Sequence, residues 1–121
     1  MRNSFVQYST STRVLLLLPT VCVLLVLMLL DVFKDGELVE TYELSASKRM
    51  YKVGRQAGFA DIVLTHGSIS REHATLTVSA SGSVVVTDMG SAHGTKLSGK
   101  LIKPRRPHLL PPGRSLVFGM L

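Results

Sequence analysis

The sequence predicts an all-β protein, either a sandwich or a barrel of short strands, for most of its 121 residues. Short runs in which apolar and polar residues alternate recur beyond residue 30, and this period of two is typical of strands that bury one face. Glycine, serine and proline separate these runs at short intervals and predict tight turns. No segment beyond residue 30 shows the 3.6-residue apolar period of an amphipathic helix. The length leaves room for one domain.

The first two predicted strands, LLDVFK and ELVETYEL, are separated by Asp35-Gly36. This pair predicts a β-hairpin, because both residues tolerate the positive φ angles that a tight hairpin turn requires. The further predicted strands are MYKVG (50–54), DIVL (61–64), HATLTVSA (73–80), SVVVTDM (83–89), TKLSG (95–99), KLI (100–102) and SLVFG (115–119). About nine short strands joined by tight loops are typical of sandwiches and barrels, in which functional residues usually lie on the loops at one end.

An apolar run over residues 14–30 precedes most of these strands and contains no charged residue. Its length lies at the lower limit for a helix that spans a membrane. No small-residue cleavage pattern precedes Asp31, so retention of the run is favoured over its removal. We therefore expect a tail over 1–13, an apolar helix over 14–30 that forms a single transmembrane anchor, and a folded domain over 31–121. The alternative is a leader that packs on the domain or stays disordered, because its last leucines alternate as a strand does.

Net charge and cysteine content narrow the possible partners and sites. The net charge of +6 and the isoelectric point of about 9.9 suggest an acidic or phosphorylated partner, although charge alone fits a solvated basic surface equally well. The chain has one cysteine, Cys22, inside the apolar run. An internal disulfide is therefore impossible, and cysteine-rich zinc sites are excluded.

Three loop segments carry closely spaced polar residues. They are Gly54-Arg55, Ser70-Arg71-Glu72-His73 and Gly90-Ser91-Ala92-His93-Gly94-Thr95. In this order they resemble the motifs of the forkhead-associated (FHA) domain, a family of phosphothreonine-binding β-sandwiches, and the resemblance covers about residues 31–119. Asp88 and the closing LVFG (116–119) also match the family pattern. Within the family, FKDGELV, HGT and LIKPRRPHLLPP are most similar to the kanadaptin and nuclear phosphatase-inhibitor branch.

The resemblance implies an FHA-like (SMAD/FHA) β-sandwich of about nine to eleven short strands. After Gly119 the family continues into one more strand, which pairs with the first strand of the domain. Only Met120 and Leu121 follow here. We therefore expect the last strand to be missing and the first strand to have an open edge, which is a stability and aggregation liability.

The resemblance also implies two groups of site residues. The residues implied to bind the phosphopeptide are Arg55, Ser70, Arg71 and His93. The residues implied to shape the loops are Gly54, His73, Gly94 and Thr95. The chemistry fits this assignment, because a phosphothreonine carries a charge of about −1.5 to −2 and three strong acceptor oxygens. The planar fork of a guanidinium can meet two of those oxygens, so arginine suits this role better than lysine.

One position departs from the family pattern in a way that affects affinity. The family usually has a threonine at the position of Ala92, and its hydroxyl helps to hold the phosphate. Loss of a hydrogen bond to a charged group costs about 1.5–3 kcal/mol. We therefore expect this chain to bind phosphothreonine through its remaining donors, but more weakly than is usual for the family.

Catalytic and metal sites are not favoured. Ser70, His73 and Asp88 could be imagined as a catalytic triad, but their spacing lacks a nucleophile elbow and Arg71 would oppose a positive imidazolium. His66, His73 and His93 occur singly on three loops, without the spacing of zinc ligands. We therefore expect a binding module that is not an enzyme, with no cofactor, no metal and no small-molecule substrate, and with a threonine-phosphorylated protein as its partner.

A structural or nucleic-acid-associated module that has lost phosphate recognition is the alternative function. The stretch from Lys96 to Arg114 contains six basic residues and no acidic one, and such clusters attract phosphate backbones. No aromatic residues interleave the basic ones, so a stacking platform for single strands is absent and a nucleic-acid partner is less favoured. With the membrane anchor, phosphopeptide binding predicts a single-pass membrane protein whose domain faces the cytosol; the nucleus or the cytoplasm is the alternative location.

Overall fold

A computed structural model describes residues 4–17, 22–45 and 47–120 of the chain. These residues form eleven β-strands and no helix. The strands are β1 (Phe5–Leu17), β2 (Cys22–Lys34), β3 (Glu37–Leu44), β4 (Met50–Gly54), β5 (Ile62–Val63), β6 (Ala74–Val78), β7 (Val84–Asp88), β8 (Thr95–Leu97), β9 (Lys100–Leu101), β10 (His108–Leu110) and β11 (Ser115–Phe118). The prediction of an all-β fold is therefore confirmed.

The strands form two sheets. Sheet A has the order β3-β2-β1-β11-β8-β9, and sheet B has the order β10-β7-β6-β4-β5. Neighbouring strands are antiparallel except β4 and β5, which pair in parallel. The core lies between the sheets, because most strands bury one apolar face there. In β4, for example, Tyr51 and Val53 are buried whereas Met50 and Lys52 are exposed. Burial of one large apolar side chain stabilises the fold by about 1.5–3 kcal/mol.

The predicted hairpin at Asp35-Gly36 is confirmed. The two residues have φ angles of 53° and 80° and connect β2 to β3. Both values lie in the left-handed region that a tight hairpin turn requires, and glycine and aspartate enter this region more readily than most residues.

The predicted apolar helix over residues 14–30 is wrong. The described part of this segment belongs to β1 and β2, which pair antiparallel from Phe5↔Phe33 to Leu17↔Cys22; residues 18–21 lie outside the described residues. A continuous apolar run does not distinguish a buried strand from a helix by its period, so the sequence could not decide between them. No helix in the described residues is long and apolar enough to cross a membrane. The prediction of a single-pass membrane protein was based on that helix and is wrong as well.

The first strand of the predicted domain does not have the expected open edge. That strand, LLDVFK, is the end of β2, and β1 pairs with it from Leu29 to Phe33. On its other side β1 pairs with β11 at Val6↔Leu116. Residues near the start of the chain thus occupy the place between the first strand of the domain and β11 where the family pattern led us to expect a final strand. The boundary expected at residue 31 accordingly falls inside β2.

Candidate functional site

The candidate site lies where three loops meet at one end of the sandwich, and His73 holds two of them. The backbone N–H of Ser70 donates to His73 Nδ1 (3.1 Å), and Nε2 lies 2.9 Å from the carbonyl oxygen of Gly94. A carbonyl can only accept, so Nε2 carries the hydrogen and Nδ1 is the acceptor. One neutral imidazole therefore ties the loop before β6 to the loop before β8.

The charge state of His73 follows from its surroundings. Its side chain is fully buried, and this burial lowers the pKa of His73 below its usual range, although the Gly94 carbonyl and the Asp88 carboxylate act in the opposite direction. Nε2 lies 3.8 Å from Asp88 Oδ1. Because the ring is neutral, this approach is a contact between a dipole and a carboxylate and not an ion pair.

Asp88, at the end of β7, fixes the shape of the loop over residues 90–95. Its Oδ1 accepts hydrogen bonds from the hydroxyls of Ser91 (2.6 Å) and Thr95 (2.8 Å). Its Oδ2 accepts from the backbone N–H groups of Gly90 (3.0 Å) and Ser91 (3.1 Å). Burial alone would raise the pKa of Asp88, but these bonds lower it below its ordinary value, so the carboxylate stays ionised.

Two glycines permit close approaches around the site. A Cβ on Gly54 would clash with the backbone carbonyl of Arg71, so this position requires glycine because of space. Gly94 has a φ of +80°, and a Cβ there would lie 2.5 Å from the side chain of Leu101. A larger residue would be strained at both positions, at Gly94 by the left-handed backbone and by space, and at Gly54 by space alone.

The side chains predicted to bind the phosphopeptide line one open cavity of about 440 Å³. Arg55, Ser70, Arg71 and His93 all contribute to its wall, together with Ala92. Nε of Arg55 donates to the carbonyl of Ile69 (3.0 Å), which orients the guanidinium and leaves its terminal amino groups for a ligand. The Ser70 hydroxyl oxygen accepts a 3.1 Å bond from the backbone N–H of Ala92, so its own hydrogen can still be donated.

The sequence did not predict every residue of the cavity. Glu72 lines it as well, although an acidic residue was not expected beside an anion site. Ser68 also lines the cavity, and its Oγ lies 2.7 Å from His66 Nδ1 and accepts a 2.9 Å bond from the backbone N–H of Met120. One sequence signal exists for the loop hydrogen bonds, the Asp-x-Gly-Ser pattern that begins at Asp88. This pattern is typical of a turn capped by a side chain.

Among the described residues, no group of three or more metal-ligating side chains could hold a metal ion.

The sequence profile of the FHA domain matches residues 51–119, which is more than half of the chain. The chain belongs to the FHA domain family. This FHA chain is 38% identical over 89 residues to the Arabidopsis thaliana protein phosphatase 1 regulatory inhibitor subunit PPP1R8 homolog. It is 33% identical over 91 residues to the Homo sapiens nuclear inhibitor of protein phosphatase 1. Both alignments cover 74% of this chain but 24% and 26% of the relatives, so the chain spans about a quarter of their length. The predicted branch of the family is thereby confirmed.

Solved FHA structures share this fold. The FHA domain of the CT664 protein from Chlamydia trachomatis has a TM-score of 0.70 and 31% identity, over 77% of this chain and 89% of that one. The MEK1 FHA domain, crystallised with a phosphothreonine peptide of HOP1, has a TM-score of 0.53 and 28% identity, over 66% and 87% of the two chains. The predicted FHA-like sandwich is therefore confirmed, and one of the FHA domains that share it was crystallised with a phosphothreonine peptide.

Proposed function

We propose that this FHA domain binds a phosphothreonine-containing segment of a partner protein, and that it does so without catalysing a reaction. Arg55, Ser70 and Arg71 hold the phosphate, and His93 contacts the peptide backbone. The observation that carries the proposal is that these side chains, which come from separate loops, line one open cavity.

The charges around the cavity favour an anion. No carboxylate in the described part of the chain forms an ion pair with Arg55 or Arg71, so both guanidinium groups can meet a dianionic phosphate. Glu72 offsets one of the two positive charges, but its side chain is exposed to solvent, which screens it. The lining therefore keeps a net positive charge, and the oriented Arg55 is its most preorganised donor.

Paired peptides test the proposal. A library of peptides with a central threonine is measured by fluorescence anisotropy in phosphorylated and unphosphorylated forms. We expect binding of the phosphorylated forms only, and we expect Arg55→Ala to weaken it by roughly ten- to a hundredfold. Arg49→Ala removes another exposed arginine, which does not line the cavity, and it should leave affinity unchanged. Equal affinity for the two forms, or undiminished binding by Arg55→Ala, would refute the proposal.

The relatives support a nuclear location. The human relative is named as a nuclear inhibitor of protein phosphatase 1, and we extend the nuclear location to this chain. Phosphatase inhibition is not part of the proposal, because the chain corresponds to only about a quarter of the relatives. Imaging of the full chain with a fluorescent tag tests the location, and a signal confined to the cytoplasm contradicts it.

Nucleic-acid binding is a second candidate function. All six basic residues between Lys96 and Arg114 are exposed, and an exposed basic surface attracts phosphate backbones. Affinity for duplex DNA or RNA that falls steeply with salt, in the absence of any preference for phosphorylated peptides, would favour this candidate over the first.

A further inference from the structure

Glu72 is one of the residues that line the candidate phosphate cavity. The same residue lines a second cleft, of about 330 Å³, on the outer face of sheet B. We call it the flank cleft, and the lining residues that matter here are Met50, Lys52, Phe59, Glu72, Met89 and Arg105. We infer that the flank cleft binds residues next to the phosphothreonine in the partner and selects apolar and acidic side chains. This inference rests on the proposed function.

The apolar part of the flank cleft is unusual for a sheet face in contact with solvent. Met50 and Met89 are 49% and 41% exposed, and the ring of Phe59 is half-buried beside them in the cleft. The strand register shows that Leu109, which is 60% exposed, lies on the same face, through the pairs Met50↔Thr77, Thr77↔Val85 and Val85↔Leu109. Methionine adapts its shape to different apolar partners. This face can therefore accept an apolar side chain without a preformed deep pocket.

The charged part of the flank cleft can attract an acidic residue. Lys52 Nζ lies 4.8 Å from the centre of the Phe59 ring, and its charge helps to lower the pKa of Asp61, which Lys48 lowers more strongly. Arg105 has a left-handed backbone (φ 61°), and its N–H donates to the carbonyl of Asp88 (2.7 Å). Among the described residues, neither Lys52 nor Arg105 forms an ion pair with a carboxylate. The backbone of Arg105 is thus held in place, and its exposed guanidinium has no carboxylate of the described residues paired to it.

The two sites share the lining residue Glu72, which favours a single ligand. Arg71 lines the phosphate cavity, and its neighbour Glu72 lines both the cavity and the cleft. An extended peptide anchored by its phosphate can cross Glu72 and place the following or preceding side chains in the cleft. The second contact is then intramolecular and gains from a high effective concentration. Glu72 at the crossing point repels acidic residues directly beside the phosphothreonine, so the acidic side chain belongs farther along the flank.

Three phosphothreonine peptides test the inference. The neutral peptide has glycine and serine on both sides of the phosphothreonine. In the second peptide the six residues before the phosphothreonine are alternating leucine and glutamate, and in the third peptide the six residues after it are. We expect at least one of the two substituted peptides to bind roughly tenfold more tightly than the neutral peptide, because an apolar side chain and a carboxylate become bound. Equal binding of all three phosphorylated peptides overturns the inference and leaves the proposed function intact. Equal binding of phosphorylated and unphosphorylated peptides overturns the proposed function instead.

Matched variants locate the effect. Arg105→Glu and Met89→Ser should abolish the advantage of the substituted peptide over the neutral one. Arg106→Glu makes the same charge change outside the cleft, and Leu38→Ser removes an exposed apolar side chain on sheet A, away from the cleft, so both should retain the advantage. If Arg106→Glu removes it as fully as Arg105→Glu, general charge attraction explains the preference and the inference is overturned. Arg105→Gln gives the same comparison if the glutamate variant does not fold.

Discussion

The backbone N–H of Ala92 lies 3.1 Å from Ser70 Oγ and donates a hydrogen bond to it. This bond connects the loop that follows β7 to the loop that precedes β6, and both residues line the same cavity. The connection uses the backbone of residue 92, so it does not depend on the side chain at that position. Ala92 itself is exposed at the cavity wall, where a larger side chain meets solvent or ligand.

Replacing Ala92 with threonine should strengthen phosphopeptide binding. The added hydroxyl can donate to the phosphate, and a hydrogen bond to a charged group contributes about 1.5–3 kcal/mol, or roughly ten- to a hundredfold in affinity. Ala92→Val has nearly the same shape without the hydroxyl and serves as the control. Isothermal titration with one phosphopeptide measures the three proteins. An equal gain in both variants would mean that side-chain packing, and not the hydroxyl, is responsible.

Replacing Gly54 with alanine should destabilise the domain and weaken binding together. The new Cβ would clash with the carbonyl of Arg71, so either β4 or the loop that carries Arg71 must move. Overpacking of this kind costs about 1–3 kcal/mol or more. Gly58→Ala is the matched control, because a Cβ on Gly58 meets nothing within 4 Å. Urea unfolding measures both variants, and similar midpoints for the two would contradict the steric explanation.

The folded domain should lose stability as the pH falls below about 6.5. Burial lowers the pKa of His73 in the folded state, whereas the unfolded histidine titrates near 6.5. Between the two values the unfolded state binds more protons, so stability is present above about pH 6.5 and decreases towards lower pH. The loss approaches about 1.4 kcal/mol per pH unit. Asp88 acts in a lower window, because its lowered pKa stabilises the fold until the pH falls through that value.

Unfolding by urea at pH 7.5 and pH 5.5 measures this loss. In His73→Gln the difference between the two pH values should shrink, even though the variant is less stable at both because the ring's two hydrogen bonds are altered. His108→Gln removes a histidine outside the core and should retain the full difference. A His73→Gln protein with an unchanged pH dependence would show that another group carries it.

Replacing Tyr8 with alanine should destabilise the whole domain, because β1 is part of the sandwich. Tyr8 is 2% exposed and is among the largest fully buried side chains of the described residues, and truncation of a buried aromatic residue costs about 3–5 kcal/mol. Thr10→Ala, on the same strand but exposed, should change stability by less than about 0.5 kcal/mol. Thermal unfolding followed by circular dichroism measures both. An unaffected Tyr8→Ala protein would mean that β1 is not needed for the fold.

Local sequence signals predicted most of the domain beyond residue 30. The strands β3 and β4 were predicted with their observed bounds, because alternation and adjacent turn residues define each of them. The resemblance of the loop motifs to the FHA family pointed to Arg55, Ser70, Arg71 and His93, which line one cavity, but not to Ser68 or Glu72, which line it as well. The short strand β10 (His108–Leu110) was missed, because three residues between prolines are too few to show a period of two.

The start of the chain could not be predicted from the sequence. Its apolar residues satisfy either a helix or a buried strand, and the pairing of β1 with β2 and with β11 distinguishes the two. The flank cleft was missed for a related reason. The residues that line it are far apart in sequence, and only the folding of sheet B brings them together in one cleft. They include Met50, Phe59, Met89 and Arg105. Contacts between distant segments carry no local signal in a single sequence.

The position of β1 has a consequence for biosynthesis. A ribosome makes β1 well before its neighbour β11, which is complete only after residue 118 has been added. The hairpin of β1 and β2 can form early, but the join at Val6↔Leu116 closes a loop of about 110 residues, and such distant pairing slows folding. Until β11 pairs with β1, the nascent chain exposes the apolar hairpin of β1 and β2 with one edge unpaired. We therefore expect chaperones to bind the chain at this step of translation.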